Sequence, residues 1–168
     1  MISVELSTEA KNVLSEANYP LKNRSIKELG VLRDKTARAI TPAVDRVIEL
    51  YKAKVEMRDI SDIPCMLVIP YQQKVNWKIL YGYGGGYVSG SPFEDLTIAV
   101  PLAAETGAEV VIPHYRLAPE SPWPSAIDDG FSVFKQMSSE PLALVGESAG
   151  GNLCLTLILR AFQLGIPL

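Results

Sequence analysis

The octapeptide Val145-Gly146-Glu147-Ser148-Ala149-Gly150-Gly151-Asn152 constrains the fold of this chain more than any other stretch. An apolar run, Leu142 to Val145, stops at Gly146, and a longer apolar run restarts at Leu153. That pattern reads as strand, tight turn and helix, with Ser148 at the tip. Glycines on both sides let the strand and helix backbones approach closely, which a strained strand-to-helix elbow requires. Such an elbow lifts the Ser148 hydroxyl clear of a sheet and aims the first helical amides at the same space. Ser148 is therefore the candidate nucleophile, and the Ala149 N–H a candidate donor to an oxyanion. A serine hydroxyl attacks poorly unless a base takes its proton, so a second group is required.

A second stretch, Tyr81 to Ser91, reads YGYGGGYVSGS and follows the apolar segment Trp77 to Leu80. Three consecutive glycines after a strand let backbone N–H groups face a ligand oxygen with no Cβ in the way, as an oxyanion hole needs. Gly84 and Gly150 serve turn geometry. Glu147 adjoins Ser148 but points away across the elbow, where it is a partner for backbone or helix dipole. Arg116 and Glu120 read as a buried-loop ion pair or hydrogen-bond anchor. Tyr87 and Trp123 either line a pocket or pack.

Hydrophobic residues at 48% and charged residues at 21% suit one globular domain of 168 residues. A net charge of −3 argues against a nucleic-acid partner. No apolar run reaches the length of a membrane span, and the N-terminal residues lack the basic and apolar regions of a signal peptide. Cys65 and Cys154 fall in apolar runs and read as buried thiols, so the expected setting is the cytoplasm. A single histidine, His114, and no clustered Cys/His spacing leave no metal site and no cofactor to expect.

The spacing of Ala10, Val13, Leu14 and Ala17 predicts a helix over residues 8–17. A second helix begins at Ser25, with Lys27, Arg33, Lys35 and Arg38 on a solvated face. Pro42 opens a third, carrying Val44, Val47, Ile48 and Tyr51. Strands follow at Val55 to Ile60, Cys65 to Ile69 and Trp77 to Leu80. Ser91-Pro92-Phe93-Glu94 has the form of a capping box and starts a helix that Pro101 should kink and Gly107 ends. Glu109 to Ile112 is a strand, Ile127, Phe131 and Phe134 mark a helix, and Leu142 to Val145 is the last strand. The final helix, Leu153 to Phe162, is apolar nearly all round and should be buried on most faces. Alternating strands and helices make this an α/β chain with a mostly parallel sheet and helices on both faces, its sites at the carboxyl ends of strands.

With YGGGYVSGS, HYRLAPE and GESAGGN in this order, the chain resembles the hormone-sensitive-lipase (bacterial family IV) carboxylesterases of the α/β-hydrolase fold. The resemblance implies that residues 1–45 are cap helices and 46–168 the N-terminal part of the core, about the first five strands of an eight-stranded sheet. It implies hydrolysis of short- to medium-chain acyl esters, with Gly85, Gly86 and Ala149 as oxyanion donors. The family's histidine before the three glycines is Tyr83 here, whose single hydroxyl should brace the loop less firmly than two ring nitrogens. The family's catalytic aspartate and histidine have no counterpart and would follow Leu168. In the family's strand order, 1-2-4-3-5, His114 lies two strands from Ser148, roughly 10 Å away, too far for a general base. Residues 1–168 alone should therefore not be a self-sufficient enzyme. A C-terminal half or second chain is expected to pack on the Leu142–Val145 edge. The alternatives are an inactive small-molecule binding protein of the same fold, or a truncated remnant.

Overall fold

The structure is a computed structural model that describes residues 7–9, 11 and 25–166. The helix expected over residues 8–17 lies outside them except for helical Thr8, Glu9 and Lys11. Helix α1 (Ile26–Tyr51) is capped by Ser25, whose hydroxyl accepts the Glu28 N–H while Glu28 reaches back to the Ser25 N–H at 2.8 Å. Pro42 does not open a new helix. It sits inside α1, which runs on to Tyr51, so the boundary expected after residue 45 falls within one helix. Leu29 and Val44 are buried, and Ile40, Val47, Ile48 and Tyr51 pack with Val44 on the main core. Burial of that continuous stripe outweighs the one backbone bond that a proline removes, since each large apolar side chain contributes about 1.5–3 kcal/mol.

Strands β1 (Lys54–Ile60) and β2 (Ile63–Ile69) form a hairpin turned by Ser61 and Asp62, both at positive φ as a two-residue turn demands. After β3 (Lys78–Gly82) come α2 (Leu96–Thr106), β4 (Glu109–Pro113), α3 (Ser125–Met137), β5 (Leu142–Gly146) and α4 (Ala149–Gln163). The five strands lie in the order β1-β2-β4-β3-β5. The sheet is mixed: β2 pairs antiparallel with β1 and β4, while β3 pairs parallel with β4 and β5. Only β2 runs against the rest. Central β4 is buried at Val110 to Pro113, the continuous apolar run of a strand covered on both faces. Helix α1 packs on α2, and α3 packs on α4.

Helix α2 starts later than its capping box suggests. The Ser91 hydroxyl does accept the Glu94 N–H, but residues 92–95 form turns and the helix begins at Leu96. Asp95, at the cap position, has its carboxylate committed to Tyr81 instead. Pro101 lies within α2, and Gly107, at φ 70°, ends it. In α3, Ile127, Phe131 and Phe134 are buried as their spacing predicts.

Helix α4 departs from expectation. Leu153, Leu157 and Ala161 face the core, but Leu155, Leu159 and Phe162 are 63%, 63% and 78% exposed. Those three stand at i, i+4 and i+7, an apolar stripe on the outward face of α4. The reason is positional: α4 packs on β5, and β5 is an edge with every residue only half-buried. Among the described residues no helix is long and apolar enough to cross a membrane.

Candidate active site

The β5–α4 junction holds Ser148 at φ 50°, ψ −115°. A non-glycine residue pays for that backbone region with strain, and such strain is held in place only by its surroundings. Here the surroundings are close backbone contacts. The Glu147 N–H donates to the Gly82 carbonyl at 3.1 Å, and the Gly150 N–H donates to the Glu147 carbonyl at 2.7 Å. A Cβ on Gly150 would collide with the Gly82 carbonyl, so the first turn of α4 rests directly on the end of β3. Cys154, one turn further, is a buried free thiol whose Sγ donates to the Val145 carbonyl, as Cys65 does to Ile63. Ser148 is itself exposed.

The glycine loop faces this elbow. Gly85 and Gly86 have φ values of 116° and 63°, and a Cβ on Gly85 would strike the Ser89 carbonyl. The Gly85 carbonyl accepts from Val88 N–H, Ser89 N–H and the Ser89 hydroxyl, which closes a tight turn. Among the described residues no acceptor is paired with the amides of Gly85, Gly86 or Ala149. Glu147 lies against Gly84, where a Cβ would overlap its carboxylate, in keeping with a side chain turned from Ser148.

Tyr83 does more than offer one hydroxyl. It is fully buried and stacks on Tyr115, with ring centroids 4.0 Å apart and planes within 2°. The Tyr83 hydroxyl donates to the Tyr115 carbonyl at 3.1 Å, and the Tyr115 hydroxyl donates to the Tyr83 carbonyl at 2.6 Å. The expected weaker brace is thus replaced by a reciprocal one. Burial pushes both phenols well above their ordinary range. Below the loop, the Asp95 carboxylate accepts the Tyr81 hydroxyl at 2.9 Å. Burial raises the Asp95 pKa, and the Tyr81 hydrogen bond and the nearby Gly84 backbone work against the rise.

A family model for the alpha/beta hydrolase fold matches residues 79–168, more than half of the chain and both glycine turns. The chain belongs to the α/β-hydrolase fold family. It is of the hormone-sensitive-lipase type. Over 95 residues it is 33% identical to an acetyl-hydrolase of Streptomyces hygroscopicus, covering 54% of this chain and 32% of that protein. Over 97 residues it is 34% identical to human hormone-sensitive lipase, covering 52% of this chain and 9% of that one. Among solved structures it resembles a hormone-sensitive lipase from a metagenome library, at 27% identity and TM-score 0.76, covering 94% of this chain and 54% of the other. A hyperthermophilic esterase from the archaeon Pyrobaculum calidifontis shares the fold at 24% identity and TM-score 0.74, covering 98% and 55%. The chain spans about half the length of these solved relatives.

In this α/β hydrolase a cavity of about 210 Å³ opens beside the first turn of α4, lined by residues that include Tyr87, Ala118, Trp123, Ile127 and Asn152. Ser148 is one helical turn from Asn152 and is not itself a lining residue. Tyr87 and Trp123 both line the cavity. The Tyr87 hydroxyl donates to Asn152 Oδ1 at 2.9 Å, and Trp123 is largely exposed. Arg116 and Glu120 do not pair with each other. Arg116 forks onto the buried Asp129, at 2.7 to 3.1 Å, and its N–H donates there too. Glu120 instead meets Arg33, which is no solvated residue of α1 but a hydrogen-bonding hub. Nothing in the helical spacing of α1 distinguishes Arg33 from its charged neighbours, because its partners lie more than 50 residues away. Exposed His114 sits at the end of β4, two strands from β5.

Proposed function

We propose that this chain carries the nucleophile and oxyanion site of a carboxylic ester hydrolase acting on short- to medium-chain acyl esters. Ser148 attacks the acyl carbon, the amides of Gly85, Gly86 and Ala149 hold the oxyanion, and water releases the acid. The observation that carries the reading is the strained, exposed Ser148 on an elbow packed against the glycine loop, whose Gly85 and Gly86 amides have no acceptor among the described residues. The relatives named acetyl-hydrolase and hormone-sensitive lipase support the ester class.

The general base comes from outside residues 1–168, because His114, the sole histidine, directly follows β4, a strand two places from β5. Its carrier, a C-terminal half or a second chain, packs along β5 and the outward stripe of α4. Half-buried Leu142 to Val145 and exposed Leu155, Leu159 and Phe162 support that placement. Two unpaired buried thiols support a cytoplasmic setting.

Replacing Ser148 with alanine tests the mechanism. In the assembly that hydrolyses p-nitrophenyl butyrate, Ser148→Ala should cost on the order of 10⁶ in turnover. Its unfolding midpoint should not fall, since the change removes a small exposed group. Near-normal hydrolysis by the variant would assign the chemistry elsewhere. Ester binding without turnover in every assembly would make this a binding protein of the same fold.

A further inference from the structure

We infer that Arg33, from helix α1, is a positioning residue that holds the glycine loop in the shape its free amides require; the inference rests on the oxyanion role given to Gly85 and Gly86. One guanidinium meets three acceptors from two separate loops. Its Nε and Nη2 donate to the Val88 carbonyl at 3.0 and 2.8 Å. Nη2 also donates to the Ala118 carbonyl at 2.9 Å. Nη1 and Nη2 donate to the two Glu120 carboxylate oxygens at 2.6 and 3.1 Å. The side chain is 21% exposed, so these bonds are shielded from competing water.

The geometry gives the contact a consequence at the site. Val88 closes the tight turn on the Gly85 carbonyl, and its own carbonyl is the one Arg33 takes. On the other side, the Ala118 N–H donates to the Tyr87 carbonyl at 2.8 Å. Arg33 therefore closes a three-way junction between α1, the β3–α2 loop and the β4–α3 loop. A rotation of the Val88 peptide would turn Gly85 and Gly86 with it. Lysine cannot substitute, because an ammonium is a point charge on a flexible stem and the site uses a planar fork. Glu120 has a different part: the hydrogen bond from Arg33 lowers its pKa, and it orients the guanidinium from the exposed side.

The test compares Arg33→Lys with Glu120→Gln in the 168-residue chain by amide hydrogen exchange. In Arg33→Lys the Val88, Ser89 and Ala118 amides should exchange about ten- to a hundredfold faster, the equivalent of losing a charge-assisted hydrogen bond. Amides of the β2–β4 pairing, Met66 to Val68, should be unchanged. Glu120→Gln, which leaves the two carbonyl contacts in place, should move the loop amides less than Arg33→Lys does. Unaltered exchange at Val88 and Ser89 would overturn the inference, as would an equal rise throughout the sheet. In the hydrolytically active assembly, Arg33→Lys should lower kcat about tenfold or more with KM little changed, since only the transition state uses the oxyanion. A change confined to KM would overturn it as well. If no assembly hydrolyses an ester, the reading of the site as an esterase falls, and the exchange result alone decides the role of Arg33.

Discussion

Removing either hydroxyl of the Tyr83–Tyr115 pair should destabilise the protein far more than the loss of one oxygen suggests. Each hydroxyl is the donor to the other residue's carbonyl, at 3.1 and 2.6 Å, and no other donor to either carbonyl is found among the described residues. Tyr83→Phe therefore leaves the Tyr115 carbonyl buried without a partner, and Tyr115→Phe does the same to Tyr83. A buried acceptor left unpaired costs about 1–3 kcal/mol, and the shorter bond places Tyr115→Phe towards the upper end. The rings keep their stack in both variants, so no cavity term is added. In a chain of this size that is about 2–4 °C of melting temperature per kcal/mol. Both bonds tie the residue after β3 to the residues after β4, so losing one loosens the other. The double variant should therefore cost less than the sum of the singles, by about 0.5 kcal/mol or more. Urea unfolding followed by tryptophan fluorescence gives all four stabilities. Single-variant losses below about 0.5 kcal/mol would refute the reasoning, because they would mean that water already reaches the two carbonyls.

Asp95→Asn should show a pH-dependent effect on stability. Burial raises the Asp95 pKa in the folded state, so its contribution is fully present below the unfolded carboxylate range and is lost as pH rises through the folded pKa. The asparagine variant should gain on the wild type between acidic and neutral pH in urea titrations, and a difference independent of pH would contradict the assignment. Charging the outward face of α4, by Leu159→Glu with Phe162→Lys, should leave the fold intact because both side chains are largely exposed, and should abolish association or complementation through the β5 edge. Sedimentation at several concentrations checks this, and unchanged association would place the partner on another face.

Most of the fold could be read from local pattern. The glycine-flanked Ser148, the alternation of apolar runs with turns and the heptad-like spacing in α3 are short-range signals, and the corresponding elements formed where expected. Expectation failed where long-range contacts decide. Pro42 looks like a helix start locally, yet it lies within α1 because Ile40 before it and Val44 and Val47 after it share one core. Asp95 looks incidental in sequence, yet its bond to Tyr81 occupies the carboxylate at the α2 cap position. The outward stripe of α4 was misjudged because apolar composition tells how much a helix can bury, not what is present to cover it. Arg33, expected on a solvated face, is an anchor, and Arg116, expected as an anchor beside Glu120, takes Asp129 instead, because a charge on a helix or loop acquires meaning only from the carbonyl or carboxylate the fold brings to it.

Those long-range anchors answer a problem that the glycines themselves create. Glycine loses more conformational freedom on ordering than any other residue, so three in succession form a loop with little stiffness of its own. Here the stiffness comes from outside. The Tyr83 carbonyl is held by Tyr115, the Tyr87 carbonyl by Ala118 and the Val88 carbonyl by Arg33. The Gly85 carbonyl is taken by the loop's own Val88 and Ser89. Residues on both sides of the Gly85–Gly86 pair are thus fixed by other elements, and the two amides between them have no acceptor among the described residues. Donors fixed in this way need not reorganise when a charge develops on a bound oxygen, which is what makes such a site effective. A loop built only from its glycine motif would have the same free amides but no fixed direction for them, so the anchors, more than the motif, determine whether this site can work.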